Sequence, residues 1–116
     1  MTTQNEFETT FTNRKRDEDA HLEATEALQR AHLKHSTALG RAEAESDAAT
    51  AYAAHLEVKR LADRVRELRA AERAASKKAL DSRCSHAEVC KQIHGDPAAL
   101  EQLQLERIAR ALRGGQ

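Results

Sequence analysis

Residues 84 to 97, CSHAEVCKQIHGDP, carry the densest set of side chains able to do chemistry in this 116-residue chain. His86 and Cys90 stand four apart, so on a helix both reach one ion, and Cys84 folding back would add a third donor; imidazole and thiolate at this spacing suit zinc. His94 lies two turns from His86, outside that reach. Paired C-x-x-C knuckles are absent, and packing offers another use of the same residues, with Cys90 joining Val89 and Ile93 as a small apolar side chain. The weight falls on packing, so no metal and no cofactor is expected. Nucleophile elbows and phosphate-binding glycine loops are also absent, and so short a chain forms no deep pocket, which argues against an enzyme.

The same stretch punctuates helices. Ser85 followed by Glu88 is a capping-box pattern, which predicts a short helix over 86–94. Gly95 is suited to end it in a left-handed conformation, Asp96 to cap the next helix and Pro97 to occupy its first position, where no amide hydrogen is needed. That helix, 97–113, carries Leu100, Leu103, Leu105, Ile108 and Leu112 over a wide apolar face that must be buried against something. From Val89 onward, VCKQIHGDPAAL resembles the helix-turn-helix pattern. The resemblance implies a DNA-binding regulator using 86–113, with Gln102 and Arg107 toward the nucleic acid. In this sequence His94 replaces the usual Gly and Gly95 the usual apolar plug, and Ala98, Ala99, Glu101 and Gln102 include no cation for phosphate.

The elements that must position these residues are helical. Ala, Glu, Lys, Leu and Arg supply 67 of the 116 residues, while Leu, Ile, Val and Phe together supply only 19. Helices meeting along narrow Ala-lined seams need few large side chains, so the fold class expected is all-α: an elongated helical hairpin or coiled coil with a short C-terminal helical pair. Residues 1–16 are polar and read as a tail, anchored only by Phe7 and Phe11. A single helical domain follows over 17–113, with helices at about 17–39, 44–82, 86–94 and 97–113, and 114–116 as a second tail. Ala24, Leu28, Ala31, His35, Ala38 and Ala42 form one stripe. A longer one runs Ala44, Asp47, Ala51, Ala54, Val58, Leu61, Val65, Leu68, Glu72, Ala75, Ala79 and Ser82 in unbroken steps of three and four. Ala49, Ala53 and Leu56 keep the first stripe's phase, which predicts that both sides of that segment are covered. A chain break is expected between Gly40 and Asp47, where folding back sets an acidic helix beside a basic one.

Net charge is zero, but residues 1–26 carry three basic and seven acidic side chains, whereas 59–83 carry nine and four. On the wheel Lys59, Arg66, Arg69, Arg73 and Lys77 flank one side of the long seam, Arg60, Arg64 and Lys78 the other, with Asp63, Glu67 and Asp81 at the back. Such a face wants a helix with acidic edges, in the first place the chain's own segment holding Glu18, Glu23 and Glu26 and otherwise an acidic partner protein. The function expected is a small non-enzymatic protein–protein interaction module, an adaptor, assembly factor or inhibitor, binding through Val58, Leu61, Val65 and Leu68 with Arg66, Arg69 and Arg73 beside them. Its partner is a second copy in a homodimer or another acidic helical surface; overall neutrality disfavours nucleic acid. His21 and His35 on the first stripe, with His32 nearby, make association sensitive to pH near about 6 if buried. The opening MTTQNEFETT has neither the basic start nor the apolar run of a leader, and no stretch is long enough to span a membrane, so a cytoplasmic protein with reduced thiols is expected. The Ala-rich, Arg-over-Lys balance points to a bacterium or a phage.

Overall fold

The computed structural model describes residues 2–114, and every described element is helical: α1 Thr2–Ala44, α2 Ala48–His94 and α3 Pro97–Gly114. Contacts divide the chain into two units, one of residues 1–16 with 79–116 and the other of residues 17–78, so α1 and α2 each contribute to both.

In the unit of residues 17–78, α1 and α2 form an antiparallel hairpin: His21 meets Glu72, and His32 meets Arg69. Asp17, His21, Ala24, Leu28, Ala31, His35, Ala38 and Ala42 of α1 are all buried or half-buried. So are Ala51, Ala54, Val58, Leu61, Val65, Leu68, Glu72 and Ala75 of α2. Both runs alternate steps of three and four, the spacing that keeps one helix face against its neighbour. Small side chains dominate the centre, where Ala31 and Ala42 are buried and Val65 is the largest buried apolar residue. Alanine lets helix axes approach closely and costs the least helix propensity, so the seam holds with little side-chain volume.

The hairpin turn lies within the expected window. Gly40 stays helical, since one internal glycine costs only about 1 kcal/mol in a long helix. The chain breaks instead at residues 45–47, and α2 begins four residues beyond the sequence-based estimate. Asp47 is the reason: its Oδ2 accepts from the Thr50 amide at 3.0 Å and the Thr50 hydroxyl at 2.8 Å, an N-cap for the new helix. These bonds hold its carboxyl below the usual range. Ala49, Ala53 and Leu56 are exposed, so that segment has one covered side rather than two. The drift between the two phases leaves the earlier stripe pointing away once α2 has turned its later stripe onto α1.

Two other expectations fail in the unit of residues 1–16 and 79–116. The polar tail of residues 1–16 is helical throughout its described part, because Phe7, Thr10 and Arg14 extend the three–four spacing upstream and find α2 to pack on. Residues 44–82 and 86–94 belong to one helix. Ser85 is an exposed mid-helix residue rather than a cap, since Ala79, Ser82, His86, Val89 and Ile93 carry the seam on without interruption. The short C-terminal helical pair is therefore the end of α2 plus α3. Gly95 has no positive φ; its amide and that of Asp96 bond back to the carbonyls of Lys91 and Ile93, and the chain turns in a helical sense. Asp96 caps α3 as expected, its Oδ1 accepting from the amides of Ala98 at 3.1 Å and Ala99 at 3.4 Å. Of the expected tail at 114–116, the part beyond Gly114 lies outside the described residues. No described helix is long and apolar enough to cross a membrane.

Candidate functional site

The expected binding residues of α2 already have an occupant. Val58, Leu61, Val65 and Leu68 face α1, Val65 only 7 % exposed and the other three half-buried. Arg66, Arg69 and Arg73 remain exposed on one flank. The cations do not all reach across to an acidic neighbour: Arg66 pairs with Asp63 and Arg64 with Glu67, each at 3.3 Å, and Arg60 pairs with Glu57, all on α2 itself. Exposed pairs one turn apart contribute little to stability, so the hairpin rests on its apolar seam. Glu23 and Glu26 of α1 are exposed.

What the hairpin leaves open is a groove on the other flank of its seam. A cavity of about 490 Å³ is lined by Leu33, Ala38, Ala54 and Leu61 with Lys34, Arg41, Glu57 and Arg60 at its rim. A second cavity, about 310 Å³, shares Lys34, Arg60 and Leu61 and continues past Ala27, Ala31 and Leu68 between Arg30 and Arg64. Alanines opposite one another produce this trough, because they leave side-chain volume empty beside the close contact of the helices. Leu33 is 69 % exposed at its edge. Five cations border the groove, and Glu57 answers one of them: the Arg60 guanidinium holds its carboxyl below the usual range, and the carboxylate in turn raises Arg60. Among the described residues Arg30, Lys34 and Arg41 have no acidic partner. Sequence reasoning placed Arg60 and Arg64 on this flank but missed Lys34 and Arg41. Their spacing of seven, the heptad that keeps residues on one helix flank, was the available signal.

The C-terminal chemistry comes together differently from either sequence reading. His86 is 5 % exposed, packed between Phe7 and Phe11 with ring centroids 5.0 and 5.8 Å away. Its Nδ1 lies 2.9 Å from the Thr10 hydroxyl and its Nε2 3.5 Å from the Cys90 sulfur. Thr10 has one hydroxyl proton, which the Glu6 carbonyl accepts at 2.9 Å, so the hydroxyl oxygen is left to accept from Nδ1–H. The tautomer that follows has Nε2 unprotonated, facing the Cys90 thiol as an acceptor. Burial, and then the charge of Arg14, lowers the imidazole's affinity for a proton. Cys84 is exposed and does not join this pair, and no group of three or more His, Cys, Asp or Glu among the described residues is placed to hold a metal ion.

The residues assigned to nucleic acid by the helix-turn-helix resemblance are engaged within their own unit. The Arg107 guanidinium lies 5.2 Å over the Phe7 ring, and the Gln102 amide donates to Glu106 at 3.2 Å. Because 86–94 is the last part of a long helix, α3 folds back along it and onto the start of α1, with Arg110 pairing Glu8. Of the expected histidine group, His21 Nε2 lies 2.9 Å from Glu72, His35 is half-buried, and exposed His32 lies 3.5 Å from Arg69. Comparison with family models, curated proteins and solved structures gives no match for this chain.

Proposed function

We propose that this chain is a non-enzymatic protein–protein interaction module that takes an acidic amphipathic helix of a partner into the groove between α1 and α2. The observation that carries this reading is the pairing of an apolar trough with three rim cations, Arg30, Lys34 and Arg41, that have no acidic partner among the described residues. A helix laid there would bury its apolar positions against Leu33, Ala38, Ala54 and Leu61 and set acids on either side toward those cations, the helix-in-groove mode of recognition. The apolar floor favours a protein over a phosphate backbone, which offers nothing to bury. The seam expected to bind the partner instead builds the groove, with Leu61 and Leu68 reaching both. The same reading places its action in the cytoplasm, where its two free cysteines stay reduced.

The test uses a fluorescent, Glu-rich peptide with Leu and Ile at alternating three and four spacing. Its anisotropy should rise on titration with the full chain, weaken with added salt, and fall to background with the double variant Lys34→Glu, Arg41→Glu. Leu33→Asp should weaken binding while leaving helix content unchanged. Equal binding of a scrambled peptide, or of duplex DNA with the same salt response, would defeat the proposal.

A further inference from the structure

We infer that the cavity where α1, α2 and α3 meet, within the unit of residues 1–16 and 79–116, is a binding site for a small aromatic carboxylate. It holds about 310 Å³, at the low end of the roughly 300–1,000 Å³ range of small-molecule sites. Phe7 and Phe11 of α1, Ile93 of α2, and Leu100 and Leu103 of α3 line it. The way α3 docks leaves this space open. Of that helix's wide apolar face Leu103 is buried and Leu100 half-buried, whereas Leu105, Ile108 and Leu112 stay exposed, so few large side chains turn inward to fill what the three helices enclose. Phe11, on the lining, is itself 49 % exposed.

The lining selects the chemistry of the occupant. The Phe7 and Phe11 rings lie 11° from parallel with centroids 6.2 Å apart, and the His86 ring is tilted against both. A flat aromatic body extends such a set through the offset or edge-on contacts that rings prefer. Among the described residues no carboxylate lines the cavity, and the permanent charge on it is the Arg107 guanidinium. That group lies 5.2 Å over Phe7 and has no acidic partner among the described residues. A ring face offers no lone pair to its five N–H donors, whereas a carboxylate accepts two of them in parallel. His94, on the same lining, adds a ring nitrogen able to donate. The opposite wall is neutral, because the His86 Nδ1 proton is held by Thr10 and Nε2 faces the Cys90 thiol. The ligand therefore sets its ring against the two phenylalanines and its carboxylate toward Arg107. No residue of this lining belongs to the groove between α1 and α2.

The probe is naphthalene-1-carboxylate, whose own fluorescence anisotropy should rise saturably on titration with the full chain. Cys90 lines the cavity, so in a Cys84→Ser background the same ligand should slow its alkylation by N-ethylmaleimide with a matching midpoint. The uncharged 1-naphthylmethanol should bind at least about tenfold more weakly than the acid. Arg107→Gln should weaken the acid about tenfold and leave the alcohol unchanged, with helix content retained, and Lys34→Glu with Arg41→Glu should alter neither. An anisotropy that stays flat at millimolar protein, or binding lost in the Lys34, Arg41 double variant, would overturn the site. Acid and alcohol binding the wild-type chain equally, or acid binding indifferent to Arg107→Gln, would overturn the carboxylate assignment.

Discussion

Replacing Val65 by Ala or Asp, beside Leu56→Asp as a comparison on the same helix, tests whether the seam between α1 and α2 holds the hairpin. Val65 is 7 % exposed, so truncation to Ala withdraws two methyl groups from a site with no water to replace them. At about 0.8 kcal/mol per group this is roughly 1.6 kcal/mol. The better helix propensity of Ala returns about 0.5 kcal/mol, and the small void left behind takes back a similar amount. The net loss is about 1–2 kcal/mol. Val65→Asp puts a carboxylate at the same place with no cation built to meet it, and should cost about 3–5 kcal/mol, a large share of the stability of a domain this size. Leu56 is larger, yet 51 % exposed and off the stripe, so Leu56→Asp should cost less than about 1 kcal/mol. Urea unfolding followed by far-UV circular dichroism reads all three on one scale. Equal losses for Leu56→Asp and Val65→Asp would refute the seam's phase, and an unchanged midpoint for Val65→Asp would refute the hairpin.

Three further outcomes follow from local geometry. Gly40→Ala should stabilise the protein by about 0.5–1 kcal/mol, because Gly40 is helical and a Cβ there meets nothing within 4 Å; a lower thermal midpoint would count against an unbroken α1. Asp96→Ala removes the acceptor for two amides at the start of α3 and should cost about 1 kcal/mol in urea titrations, with Asp96→Asn losing much less. The folded chain holds His86 below its ordinary pKa of 6.5 through burial and then Arg14, so just below that pH the unfolded chain binds more protons than the folded one. Stability should therefore fall as pH drops through about 6.5 and keep falling until the folded imidazole itself titrates. His86→Phe should flatten this part of the thermal-midpoint profile, and a wild-type midpoint that rises on acidification would contradict the assigned burial.

The features legible in the sequence were those written in short-range spacing. The three–four stripes named the inward faces of α1 and α2, Asp96 and Pro97 marked the start of α3, and the chain break fell between Gly40 and Asp47, because helix periodicity and capping depend on residues within a turn or two of one another. The same rules misjudged residues 1–16 and Ser85. A polar stretch with two aromatic anchors reads as a tail until Phe7 and Phe11 meet His86, 75 or more residues away in the chain, and a capping box is not used where packing favours an uninterrupted helix. The expected hairpin already set α1 beside the seam of Val58, Leu61, Val65 and Leu68, but tertiary structure alone decided that the space left beside it is a groove rimmed by Lys34, Arg41 and Arg60. It also decided which side of α3 stays wet. Spacing along one helix says which residues share a face; what covers that face depends on the register between helices, and register is settled only when whole faces compete for burial against one another.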